Sequence, residues 1–228
     1  ANLANRLFER GLNVSATYHS RPPVAKAQSH EPADLTVYED CLRVTRGKNT
    51  VFLCAADSGG VTRMKDRPTA SVLPNLKISM GLLDACAANQ VKRVVLISSS
   101  TVYPLINRPI RENDLDLNVP PFDLYYHVGW INRYLEQAAL GYAARYGMKV
   151  LIVRPSSVYG PHDHFQGDRA HVLPALIGKA LAKETPFVVW GTQDVVRDFI
   201  FVNDLVDDVL ALLDQECFNE PFNIAQGV

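Results

Sequence analysis

The sequence predicts an α/β fold, an open, doubly wound parallel sheet followed by a small lobe. Three observations carry this expectation. Short, continuous apolar runs at Thr50 to Ala55, Val94 to Ile97 and Met148 to Val153 read as strands buried on both faces. Long helical patterns over 70–90 and 124–146 separate them. Small or polar residues follow directly after each run. Strands alternating with helices imply right-handed crossovers and a parallel sheet. Such sheets bind ligands beyond the carboxyl ends of their strands, so the residues after each run are the candidates for function.

The totals narrow the class. The chain has 228 residues, enough for one large domain or one domain with an annex. A net charge of -1 gives no basis for a nucleic acid or an anionic membrane as partner. No apolar run is long enough to span a bilayer. Cys41, Cys54, Cys86 and Cys217 are far apart and mostly lie in apolar runs. They read as thiols in a reducing, cytoplasmic setting, not as a disulfide frame or a metal site.

In chain order, residues 2–11 read as a helix ending at Gly11, with Leu3, Leu7 and Leu12 among polar residues. No strand or glycine-rich turn precedes it, and we expect both to be missing from this sequence. Leu12 to Tyr18 reads as a strand, 19–33 as a polar loop and 34–46 as a helix. Pro74 sits near the start of the 70–90 helix. A loop rich in proline and acid fills 107–121, and Gly147 closes the 124–146 helix. After residue 160 the pieces shorten. We expect a dinucleotide-binding domain over 1–160 and a substrate lobe over 161–228, interleaved with elements returning to the sheet.

The strand ends hold the candidate chemistry. Arg21, after the first predicted strand, lacks an acidic neighbour, which suits the 2′-phosphate of NADP; it reads equally as a solvated loop residue. Asp34 is placed to reach an adenine or to cap a helix. Ala55 and Ala56 allow close approach of a flat cofactor or make a simple turn. Ser98, Ser99, Ser100 and Thr101 end the next strand, where a hydroxyl can bond a sugar oxygen and guide a proton. Pro155, Ser156 and Ser157 follow the strand after that. His162 and His164 lack a third ligand at metal-binding spacing, so no metal is expected.

Together these segments resemble the extended short-chain dehydrogenase/reductases, the NAD-dependent epimerase/dehydratase family, over nearly the whole chain. Val94 to Tyr103 is similar to that family's serine strand, with Ser99 at the catalytic hydroxyl. Arg154 to Gly160 is similar to its Arg-Pro-x-x-x-Tyr-Gly segment, and Arg197 to Asp204 to its Arg-x-Phe-x-x-Val-x-Asp segment. Within the family the likeness is greatest to GDP-fucose synthase-like members. It rests on Ala56 to Val61, Tyr159 to Phe165 with His171 to Leu176, and Val188 to Gly191.

The resemblance implies a Rossmann-type fold, NADP or NAD as cofactor with NADP favoured, and a nucleotide-diphosphate sugar as substrate. It also implies a homodimer formed through the two long helices. The cofactor contacts it implies add Asn75 and Asn132 to Arg21, Asp34, Ala55, Ala56, Pro155, Ser156 and Ser157. On the substrate it implies Ser100, Thr101, Lys179, Trp190 and Arg197, with His171 as an acid/base group near the sugar. The activity implied is epimerisation, reduction or dehydration by hydride and proton transfer.

One element departs from the pattern. The family pairs a tyrosine with a lysine at i+4, whose charge favours the phenolate. None of the nine tyrosines here has that lysine, and none occurs between Lys92 and Lys149. Counting back from Glu136 and Tyr146 places the family tyrosine on Val128 and the lysine on Asn132. Aligning on the tyrosine itself selects Tyr126, followed at i+4 by Trp130. Three expectations stand. In one, an active enzyme uses Tyr126 or Tyr125, with Asn132 or Arg133 supporting the ribose. In another, a binding homologue has lost the chemistry. In the third, the chemistry centres on His171.

Overall fold

The structure, a computed structural model, describes residues 1–21, 23–58, 65–165, 167, 170–189, 191 and 195–227. Its centre is a parallel four-stranded sheet ordered β3-β4-β5-β8, built from Thr50–Leu53, Arg93–Ile97, Lys149–Pro155 and Pro221–Ile224. Strand side chains alternate between faces, and here both faces are apolar. Val94, Leu96, Val150 and Ile152 enter one core, while Val95, Leu151 and Val153 enter the other. A strand buried on both sides has no polar phase, which is why these runs are continuous in sequence.

The first core is covered by α2 (Tyr38–Thr45), α3 (Val72–Ala88) and α4 (Tyr126–Tyr146), with α3 packed between the other two. Leu82, Leu83 and Cys86 of α3 and Ile131, Leu135 and Ala139 of α4 fill it. The second core lies under α1 (Asn2–Glu9) and α6 (Val202–Asp214). Leu205, Val206, Val209, Leu210 and Leu213 line α6, and Leu3 and Leu7 of α1 pack beside them. Arg6 forms a two-pronged ion pair with Asp207 that joins these helices. Helices on both faces of a parallel sheet make the doubly wound fold.

The remaining elements flank the sheet. β1 (Ser15–Tyr18) pairs in parallel with β2 (Ser29–Pro32) in a separate ladder. Lys48 ties this ladder to the loop before β3 through Ser15 Oγ (2.7 Å) and Glu31 (3.5 Å). β6 (Ser157–Tyr159) pairs with β7 (Phe199–Phe201), and α5 (Val172–Leu181) stands between them in sequence. Through α6 and β8 the chain after residue 160 returns to the main sheet, where β8 pairs with β5.

Two expectations need correction. The loop expected over 19–33 contains β2, whose Ser-His-Glu-Pro sequence lacks any apolar run because this strand is only half-buried. The helix expected over 34–46 starts only at Tyr38, since Asp34 to Val37 form a turn held by Asp34 and Asp40 side chains.

Candidate functional site

The carboxyl end of β4 turns sharply through a short 3-10 helix, Ser100–Val102. Ser99 caps it by accepting the Thr101 amide at 3.2 Å. The helix α4 then comes unusually close to this turn. A Cβ built on Gly129 would lie 2.5 Å from Pro121 Cβ and 2.6 Å from the Thr101 carbonyl oxygen, closer than real contacts allow. Glycine is therefore what lets the first turn of α4 dock on the strand end.

That docking decides which helix residues face the turn. Residues three, four and seven apart share a helix face, so Val128, Gly129 and Asn132 lie together, with Tyr125 just before the helix. Asn132 Nδ2 reaches Thr101 Oγ1 at 3.4 Å. The Tyr125 hydroxyl accepts from Arg197 Nη1, also at 3.4 Å, which brings a cation from the later lobe onto α4. Tyr126 sits on another side of the helix. It is 45% exposed and makes edge contacts with His127 and Trp130.

Arg133 corrects an expectation. Helical phase places it two turns below Tyr126, but two of its nitrogens are turned onto loop carbonyls. It is 2% exposed and donates to the Val102 and Val119 carbonyls at 2.7 and 2.6 Å. Its guanidinium lies 4.8 Å from the Trp130 ring centre. Burial lowers its pKa from the ordinary value, partly offset by the charges of Asp116 and Glu136. It fastens the 103–121 loop to α4.

A cavity of about 320 Å³ opens at the start of α4. Its polar lining is Lys65, Asp123, Tyr125, Tyr126 and His127. Pro68, Leu124 and Val128 supply apolar surface. Sequence reasoning missed Lys65, Asp123 and His127. Lys65 lies twelve residues beyond the end of β3, outside the short stretch where strand-end logic looks.

Behind the site runs a buried polar network. Arg154, at the end of β5, is 3% exposed, and Glu136 of α4 is 1% exposed. Arg154 donates to both Glu136 oxygens, at 3.0 and 2.6 Å, and to the Tyr103 hydroxyl at 2.7 Å. Burial disfavours the charge on Arg154, but the Glu136 carboxylate outweighs it and its pKa is raised. Ser98 donates to Glu136 Oε1 at 2.5 Å, so of the three serines this one is structural. Tyr103 in turn donates to Asn223 Oδ1 at 2.7 Å, which links the site to β8.

The other expected residues are distributed as follows. Ala55 and Ala56 are exposed after β3. Asn75 is occupied in holding the next turn, accepting the Asp57 amide at 2.7 Å and donating to its carbonyl at 3.2 Å. Ser156 Oγ is buried with no partner, Pro155 is buried in β5, and Ser157 pairs with Phe199 in the β6–β7 ladder. Asp34 accepts from the Thr36 hydroxyl and amide at 2.7 and 3.0 Å, which lowers its pKa. Arg21 and Ser100 are exposed. His171 is exposed and precedes α5 without capping it. Lys179 donates to the Val188 carbonyl at 2.9 Å. Trp190 lies outside the described residues. Ser99, Thr101, Asn132, Tyr125 and Arg197 are thus gathered near α4, whereas no hydrogen bond joins His171 or Lys179 to that helix among the described contacts.

A doubly wound parallel sheet with polar turns at its strand ends belongs to the Rossmann-type α/β proteins. Within that class, the chain belongs to the NAD dependent epimerase/dehydratase family, which matches residues 1–225. It is 31% identical over 210 residues to the probable GDP-L-fucose synthase 1 of Oryza sativa subsp. japonica, covering 88% of this chain and 63% of that one. It is 32% identical over 196 residues to GDP-mannose 3,5-epimerase 1 of the same plant, covering 84% and 50%. The solved structure of MoeE5 in complex with UDP-glucose and NAD matches with a TM-score of 0.83 at 26% identity, over 99% of this chain and 72% of that one. The chain thus spans 63% and 50% of the length of these two curated relatives. No helix among the described residues is long and apolar enough to cross a membrane.

Proposed function

We propose that this chain carries the cofactor and sugar sites of an enzyme acting on nucleotide-diphosphate sugars by hydride and proton transfer. The carrying observation is the docked start of α4, which packs on the serine turn through Gly129 and, with Tyr125 and Tyr126, lines a polar cavity. The nicotinamide, when bound, supplies or accepts the hydride. Small residues at 55 and 56 and the unpartnered Ser156 Oγ fit such a flat group at the strand ends. Asn132 is the residue for its ribose, offering an amide in place of a cation. Arg21, with no acidic neighbour in sequence, favours NADP over NAD.

The proton is assigned to Tyr125 in preference to Tyr126, because Tyr125 has Arg197 at its hydroxyl. Ser99 is the proposed hydroxyl partner. Arg197 and Lys179 are the proposed diphosphate contacts, and His171 the proposed second acid/base group. The exposed Trp130 and Tyr134 of α4, with Leu73 of α3, support a homodimer through these helices. Buried free thiols at Cys41 and Cys86 suit the cytoplasm.

The test follows nicotinamide absorbance with a 4-keto sugar nucleotide. Turnover is expected, with Tyr125→Phe slowing it by roughly 100-fold or more and Tyr126→Phe leaving most of it. A second reading, a binding homologue without chemistry, is favoured by Val128 at the family tyrosine position. Cofactor that binds but is never turned over by a panel of such sugars selects it.

A further inference from the structure

The lysine absent from α4 leaves a specific chemical vacancy, and the structure restricts what can fill it. The position four residues after Tyr125 is Gly129, where any side chain would collide with Pro121 and the Thr101 carbonyl. The position four after Tyr126 is Trp130, whose ring faces the Arg133 guanidinium. Arg133 itself is buried on two loop carbonyls. Arg197 touches the Tyr125 hydroxyl, but it does not line the cavity and, as an arginine, gives up no proton.

Lys65 does line that cavity, together with both tyrosines. It is exposed, and among the described residues it makes no ion pair or hydrogen bond. We propose that Lys65, which lies between β3 and α3 in sequence, supplies the ammonium that α4 lacks and holds an oxygen of the sugar bound at Tyr125 and Tyr126. This rests on the sugar-nucleotide reading above. The lining suits a sugar ring. Lys65 offers donors, Asp123 offers acceptors, and the phenols and His127 offer both. Pro68, Leu124 and Val128 meet the C–H faces of the ring. A lysine fits the part because its compact charge on a flexible stem can follow an oxygen whose position differs between sugars.

The role differs from that of a helix lysine in one testable respect. An ammonium arriving from a separate segment of the chain serves the sugar and not the cofactor, so its removal separates the two affinities. Calorimetry with GDP-mannose, UDP-glucose and NADPH reads this directly. Lys65→Met is expected to weaken the sugar nucleotide that the wild type binds by at least tenfold. NADPH affinity should stay within about twofold, and Lys65→Arg should keep sugar binding within about threefold. In the wild-type protein, reductive methylation read by mass spectrometry should slow at Lys65 when that sugar nucleotide is present, and not at the exposed Lys92. The inference is overturned if the sugar nucleotide binds but leaves Lys65 methylation unchanged, or if a folded Lys65→Met protein binds it as tightly as wild type. It is equally overturned if NADPH binds and neither sugar nucleotide does. Failure of all three ligands to bind the wild type instead removes the sugar-nucleotide reading itself, and this inference with it.

Discussion

Replacing Glu136 with alanine removes three hydrogen bonds at once, those from Ser98 and from the two nitrogens of Arg154. The guanidinium left behind is 3% exposed and keeps only the Tyr103 hydroxyl and the Glu112 carbonyl. A buried charge deprived of its partner costs about 3–5 kcal/mol. That is a large share of the roughly 5–15 kcal/mol that keeps a domain folded. For a chain of this size each kcal/mol moves the midpoint by about 2–4 °C, so melting should fall by roughly 6–20 °C. Urea unfolding followed by circular dichroism gives the free energy directly. The double variant Glu136→Leu, Arg154→Met removes both charges and should recover most of the loss. Tyr103 keeps its bond to Asn223 there, whereas the Ser98 hydroxyl is left unpaired at a residual cost of about 1–3 kcal/mol. A single variant within about 1 kcal/mol of wild type, or a double variant no better than the single, would refute the account of a desolvated charge.

Gly129→Ala should cost about 1–3 kcal/mol and weaken cofactor binding as well, because the helix must retreat from Pro121 and Thr101; differential scanning and NADPH titration read the two effects. Asp114 accepts from Arg108 at 2.7 Å through both oxygens, which holds its pKa down at about 2. A depressed carboxylate stabilises the fold above its unfolded pKa near 4 and loses that contribution as pH falls toward 2, so Asp114→Asn should flatten the melting curve's dependence on pH in that window. Burial pushes the thiols of Cys41 and Cys86 up to about 11 and about 12. Neither should label with iodoacetamide at pH 8 in the native protein, as peptide mass spectrometry would show.

Much of the fold was readable because its central strands are buried on both faces. Runs such as Val94 to Ile97 have no solvent side, and the crossover helices between them are long enough to show their period. β2 was not readable, since a half-buried strand of Ser, His, Glu and Pro carries neither alternation nor apolar length. Site residues divide along a similar line. Asn132 could be reached by counting along one helix, and it does face Thr101. Arg133 also followed from counting, but phase gives the direction of a Cα–Cβ bond and not the course of a long side chain, and the carbonyls of Val102 and Val119 decided that course. Lys65 could not be found this way, because its place in one cavity wall with Tyr125 depends on tertiary packing between residues sixty apart in sequence.

The close approach of α4 to the β4 turn requires a residue without a side chain, Gly129, at the contact. It also brings Asn132 within reach of Thr101 and leaves Tyr125 facing Arg197. The same contact that builds the site therefore forbids a lysine four residues after Tyr125. A cation near that phenol has to arrive from elsewhere in the chain; Arg197 does so at the hydroxyl, while Lys65 stands in the wall of the cavity that Tyr125 also lines. The docking thus accounts for the missing lysine one turn after Tyr125, whereas Trp130 and Asn132, at the same spacing after Tyr126 and Val128, are not constrained by that contact.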